Sequence, residues 1–157
     1  MSVSHHVNCF VVPVRPESVP QARNLTCATL ACWGFAPGTQ LVDSIAVIVT
    51  ELVTNSVVHA AEATSSVTVT LRLWGGRLTV QVYDDHPGRP RLDSAHAADE
   101  HGRGLHIIHD LAMEWDGCVE LRACPGRPGK AVVVMLESGS ASAGREGTSA
   151  ECAAALV

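Results

Sequence analysis

Lysine is nearly missing from this chain. Among 11 basic residues set against 16 acidic ones, Lys130 is the only lysine, and the formal net charge is −5. Nucleic-acid binders generally carry a basic face, so this balance speaks against a direct nucleic-acid partner. Aromatics are scarce at 4%, which leaves the core to Val, Leu, Ile and Ala. The six cysteines (Cys9, Cys27, Cys32, Cys118, Cys124, Cys152) contain no C-x-x-C pair and follow no zinc-ribbon or disulfide spacing. Reduced, mostly buried thiols are expected. A G-x-x-x-x-G-K-S/T loop is absent, which excludes a Walker-type phosphate site. The opening MSVSHHVNCF lacks a charged region followed by an apolar one, so no secretory signal is read there. The most apolar long stretch, 41–60, is interrupted by Asp43 and Glu51, which argues against a membrane span. The expectation is one mildly acidic, cytoplasmic domain with no membrane segment.

What is present is a readable order of elements. Residues 7–14 form an apolar first strand. Residues 17–33 have helical character, with Ser18 and Gln21 in capping-box spacing, Pro20 in the first turn and Gly34 as the stop. Thr39 is the expected N-cap of a long helix from Gln40 to about Ala61. Val67, Val69, Leu71 and Leu73 alternate with polar residues, and Gly75-Gly76 turns the chain into Leu78, Val80 and Val82. That is a hairpin with one buried face. From Asp84 to Gly104 hydrophobic period is lost over roughly twenty residues, a length more typical of a lid or binding loop than of filler. A helical stripe returns at Leu105, Ile108 and Ala112, followed by an alternating strand at 119–123 and a continuously apolar one at 131–136, expected to be buried on both faces. Residues 138–157 are rich in Ser, Gly and Ala and read as a disordered tail, so the domain is placed at 1–137. The order predicts a two-layer α/β (α+β) sandwich, with helices on one face of a mixed, mostly antiparallel sheet.

Three features carry chemistry. Glu51, Asn55 and His59 stand at i, i+4 and i+8 and so line one stripe of the long helix, with Ile48 on it and Val47 and Val58 alongside. A solvated amphipathic face is the plain alternative. A carboxylate beside aliphatic surface, however, needs a partner or a cation. A carboxylate and an amide oxygen one turn apart are also hard ligands suited to Mg²⁺. Gly102-Arg103-Gly104-Leu105 stands where the loop meets the next helix. Glycines there let backbone N–H groups approach an anion, and Arg103 adds a phosphate fork. Asp84-Asp85 ends an apolar strand, a place where acidic residues commonly just form turns.

Together these residues resemble the boxes of the GHKL (histidine kinase-like) ATPase superfamily. Residues 51–60, ELVTNSVVHA, are similar to its N-box, Val82-Tyr83-Asp84 to its adenine box and Gly102-Arg103-Gly104-Leu105 to its phosphate box. The short chain is most similar to the anti-sigma regulatory factor branch of serine/threonine kinases. The resemblance covers about residues 7–137 and implies a Bergerat-type ATP-binding fold with ATP and Mg²⁺ as cofactors. It implies Asn55 as the Mg²⁺ ligand, Glu51 as general base and Asp84 as acceptor of the adenine amino hydrogen. The backbone of Gly102, Arg103 and Gly104 would close on the phosphates, with Leu105 and Gly88 completing the nucleotide-binding set. Two departures stand out. His86 occupies the position where the family's Asp-x-Gly has glycine, although Gly88 is kept, and Ala131 stands where the family often has the threonine of Gly-Lys-Thr.

The partners implied are an anti-sigma-factor antagonist domain, a sigma factor or both, with a homodimer allowed. The two functional readings are a kinase acting on the antagonist and a nucleotide-bound module that sequesters a regulator without chemistry. His96, His101, His106 and His109 match no metal-ligand spacing. Trp33, Trp74 and Trp115 are expected as packing anchors, and Arg122, Arg127 and Lys130 as a solvated basic patch around a turn.

Overall fold

The alternating segments at 67–73 and 78–82 form the centre of the architecture. The computed structural model describes residues 5–88 and 100–139, with the backbone alone at 100–102. In chain order the elements are β1 (His5–Pro13), α1 (Ser18–Cys32), α2 (Gln40–His59), β2 (Ser66–Trp74), β3 (Arg77–Asp84), α3 (Glu100–Glu114), β4 (Cys118–Ala123) and β5 (Lys130–Glu137). The strands form one five-stranded sheet in the order β1-β2-β3-β5-β4. Among the described residues every pairing is antiparallel, so the sheet is not mixed as the sequence suggested. Gly75 and Gly76, at φ of +56° and +85°, make the two-residue β2–β3 turn, a backbone that L side chains resist.

The pleat sends Val67, Val69, Leu71, Leu78, Val80, Val82, Val134 and Leu136 to one face, where α2 meets them with Ile45, Ile48, Val49, Leu52 and Val53, all at most 3% exposed. Each such side chain contributes roughly 1.5–3 kcal/mol through burial. α2 is long and apolar enough to cross a membrane by length and hydropathy, but half of that window is buried in this fold, as a core helix requires. α1 and α3 flank α2 and complete the helical layer, α3 through Leu105, Ile108 and Ala112.

Several local expectations change. The Ser18–Gln21 capping box does not form: Glu17 is the N-cap, without a side-chain cap bond, and Ser18 is already helical. The Ser18 and Thr26 hydroxyls are buried without a partner. Thr39 is the N-cap of α2, but its hydroxyl donates back to the Ala36 carbonyl instead of capping the helix. α3 begins at Glu100, so Gly102, Arg103 and Gly104 lie inside its first turns and not in a loop before it. β5 is not buried along its whole length on both faces, since Val132 and Met135 are half-buried. The cysteines are not mostly buried: Cys9 and Cys32 are exposed and Cys27, Cys118 and Cys124 half-buried, with no disulfide among the described residues. Trp33 and Trp115 pack against the core, whereas Trp74 is 63% exposed and meets only the edge of His5 among aromatic rings. Most of the 85–102 lid and nearly all of the 138–157 tail lie outside the described residues.

Candidate functional site

The polar stripe of α2 comes to lie against α3. Glu51 and Asn55 are half-buried, while His59, Val47 and Val58 are exposed, so the stripe runs along the boundary of the core. Gly104 sits directly over it. A Cβ built on Gly104 would lie 2.7 Å from Glu51 Oε2 and 3.5 Å from Asn55 Oδ1. Close approach, not an unusual φ, favours glycine here, and the contact joins the helix stripe to the glycine segment that the sequence separates. Gly104 and Leu105 are buried and Arg103 is exposed beside them.

Asp84 ends β3 on the core-facing side and is 6% exposed. That is no ordinary turn-forming acid. Ser56, one residue beyond Asn55 on α2, donates from Oγ to Asp84 Oδ2 at 2.8 Å. Asp84 Oδ1 accepts from the His86 backbone N–H at 3.0 Å and from Lys130 Nζ at 2.9 Å. Lys130 also donates to the His86 carbonyl at 3.1 Å. The cross-strand register places Lys130 opposite Asp84, and the backbones touch: a Cβ on Gly129 would fall 1.9 Å from the Asp84 carbonyl oxygen.

The basic patch around the β4–β5 turn is thus not simply solvated. Lys130 is 15% exposed and ion-paired to Asp84, and the Arg127 guanidinium stacks 4.3 Å from the Tyr83 ring centroid. Arg122, bonded to Glu120, and Arg127 are both exposed, so the burial of the patch falls on Lys130.

Beyond Asp84 the chain is tied down by Tyr83, which donates its hydroxyl to Asp85 Oδ1 at 2.6 Å. The single proton of the Thr64 hydroxyl goes to the closer Ser66 carbonyl at 2.7 Å, with Asp85 Oδ2 3.4 Å away. Burial, then the Asp85 hydrogen bond and charge, push the Tyr83 phenol above its ordinary value. His86, in place of glycine, turns its ring back so that Nδ1 accepts the Gly88 N–H at 2.9 Å. The histidine thereby organises the segment that glycine would otherwise leave free, and Gly88 has no room for a Cβ against that ring.

Glu51, Asn55 and Gly104 are brought together, with Leu105 next to Gly104, and Asp84 is tied to the buried side of α2 through Ser56. Ser56, Lys130 and Tyr83 were not singled out as site residues by sequence reasoning. Ser56 carried no signal, standing in line with Leu52 and Val49 on the buried side of the helix. Lys130 carried only its rarity.

Residues 12–137 match the model of the histidine kinase-like ATPase domain family, and the chain belongs to that family. Among curated proteins none matches the chain. Among solved structures it is similar to full-length ShkA in complex with AMPPNP, with 22% identity, a TM-score of 0.51 and coverage of 85% of this chain and 32% of that one. It is similar also to the Acinetobacter baumannii histidine kinase AdeS, with 10% identity, a TM-score of 0.52 and coverage of 86% and 70%. The histidine kinase domain of a blue-light activated kinase from Erythrobacter litoralis shares 24% identity at a TM-score of 0.46, over 60% of this chain and 43% of that one. The chain thus spans less than half the length of two of these three structures. At such identities the likeness is one of fold. Family membership supports an ATP-binding, regulatory function.

Proposed function

We propose that this chain binds Mg-ATP across α2, the end of β3 and the start of α3, and transfers the γ-phosphoryl group to a serine or threonine of an anti-sigma-factor antagonist domain in the cytoplasm. The observation that carries the reading is the packing of Gly104 onto Glu51 and Asn55, which puts a carboxylate, an amide oxygen and a helix start within one small space. The donor set fits Mg²⁺, because the carboxylate and amide oxygens are hard ligands. A cation there would be completed by phosphate and water oxygens, the ordinary way Mg²⁺ is held. Asn55 Oδ1 would hold it, and the ion would neutralise charge on the phosphates.

Glu51 is the base in this reading. Its carboxylate takes the proton from the incoming hydroxyl, while the N–H groups at the start of α3 and the exposed Arg103 face the phosphates. Asp84 accepts the hydrogen of an adenine amino group. Such a site works by positioning and charge stabilisation, which is most of what phosphoryl transfer asks of a protein.

The test is labelled ATP with candidate antagonist domains. Glu51→Gln keeps size and hydrogen bonding but removes the base, so it should lose about 10²–10⁴ in transfer rate while its Mg-ATP affinity, read by calorimetry, is kept. Asn55→Ala should instead lose affinity. Equal transfer by wild type and Glu51→Gln would overturn the role of Glu51. A wild type that transfers nothing, yet holds its partner only with nucleotide, would make the chain a binding module, a reading that the His86 substitution in the adenine box favours.

A further inference from the structure

The one lysine of the chain is spent in the interior, on Asp84. The carboxylate has about four acceptor positions, and the described residues fill three. Oδ1 takes both the His86 N–H and Lys130 Nζ, and Oδ2 takes the Ser56 hydroxyl. One position on Oδ2 remains. Ser56 Oγ lies closer to Asp84, at 2.8 Å, than to the Leu52 carbonyl, at 3.3 Å, so its single proton is directed to the carboxylate.

Among the described residues Lys130 is the cation paired with Asp84, and their side chains are 15% and 8% exposed. Its second bond, to the His86 carbonyl, holds the ammonium on the Oδ1 side. Gly129, just before β5, lets the backbone that carries Lys130 lie against the backbone of Asp84. Charge-assisted bonds of this kind are stronger and more directional than neutral ones. The carboxylate plane is thus set from three elements: α2 through Ser56, the chain after β3 through His86, and β5 through Lys130.

We infer that Lys130 is a positioning residue for base selection: by occupying Asp84 Oδ1 it leaves one fixed acceptor on Oδ2, which selects a purine with an exocyclic amino donor over a purine without one. This rests on the proposed nucleotide site. Removing the lysine leaves a buried carboxylate without its charged partner, which side-chain rotation toward water or uptake of a proton would relieve. Either response abolishes the fixed acceptor. The loss therefore falls on the contact with the amino group, not on the phosphates at the far end of the nucleotide.

The experiment compares ATP with purine riboside triphosphate, which lacks the 6-amino group, on the full chain by calorimetry with Mg²⁺. Wild type should prefer ATP by roughly 10- to 100-fold, the worth of one hydrogen bond to a charged group. In Lys130→Met the preference should fall to within about threefold, because ATP weakens while the analogue does not, and Lys130→Arg should restore part of it. Circular dichroism and melting accompany each variant. If Lys130→Met fails to fold, Lys130→Gln, which keeps a donor without the charge, is read by the same ratio. An unchanged preference in the variant, or equal weakening of both nucleotides, overturns the inference and leaves Lys130 a merely structural residue. A wild type that binds neither nucleotide removes the proposed site itself, an outcome distinct from the other two.

Discussion

Gly104 of α3 lies against Glu51 of α2 so closely that a single added carbon would stand 2.7 Å from the carboxylate oxygen. Two segments of the site are joined by this contact. It separates the needs of the fold from those of the chemistry, since the crowded atom is the tip of a flexible side chain.

Gly104→Ala should therefore fold. Alanine is favoured over glycine in a helix by up to about 1 kcal/mol, which offsets the cost of moving the Glu51 tip. Melting should stay within a few degrees of wild type. Phosphoryl transfer should fall on the order of 10²-fold, the usual penalty for misplacing a catalytic group by about an ångström. Wild-type transfer in a well-folded variant would show that the contact does not position Glu51.

The Tyr83–Asp85 bond gives a pH signature. The folded phenol titrates above its ordinary value, so the folded state keeps a proton that the unfolded chain releases near pH 10. The unfolded state then binds fewer protons, and stability falls as pH rises. This contribution is fully present below about pH 10 and is lost as pH climbs through the folded value. Tyr83→Phe should be less stable than wild type at pH 7, with the gap narrowing above about pH 10. Denaturant midpoints from pH 7 to the alkaline limit read it, and a gap constant across that range would remove the assignment.

Two threonines of α1 make an internal control. Thr26 Oγ1 is buried with no partner, while Thr29 Oγ1 donates to the Leu25 carbonyl and accepts from Asn8. An unpaired buried hydroxyl costs about 1–3 kcal/mol. Thr26→Val removes that cost at constant shape and should raise the melting temperature by roughly 2–4 °C per kcal/mol. Thr29→Val removes the bond from the exposed Asn8 amide and should lower it slightly. The same sign of shift in both variants would mean that the two hydroxyls are not distinguished as the structure has them.

Local pattern was enough for the elements. The alternation at 67–73, the paired glycines at 75–76 and the apolar stripe of residues 40–59 depend on neighbours a few positions away, so the order of strands and helices follows from the sequence alone. So does the candidacy of Glu51 and Asn55, because one turn of helix brings i and i+4 to the same side. Local pattern misplaced what depends on distant partners. Local pattern puts the start of α3 at Leu105, five residues after its observed start at Glu100, because Gly102 and Gly104 look like loop residues until the packing of Gly104 against α2 is seen. Lys130 looked like part of a solvated turn because its partner, Asp84, is 46 residues away in the chain. Whether a charge is solvated or buried is decided by which strand lies beside it, and that the antiparallel pairing of β3 with β5 settles. Helical and extended periods are written in short windows. The environment of a carboxylate is written by the sheet.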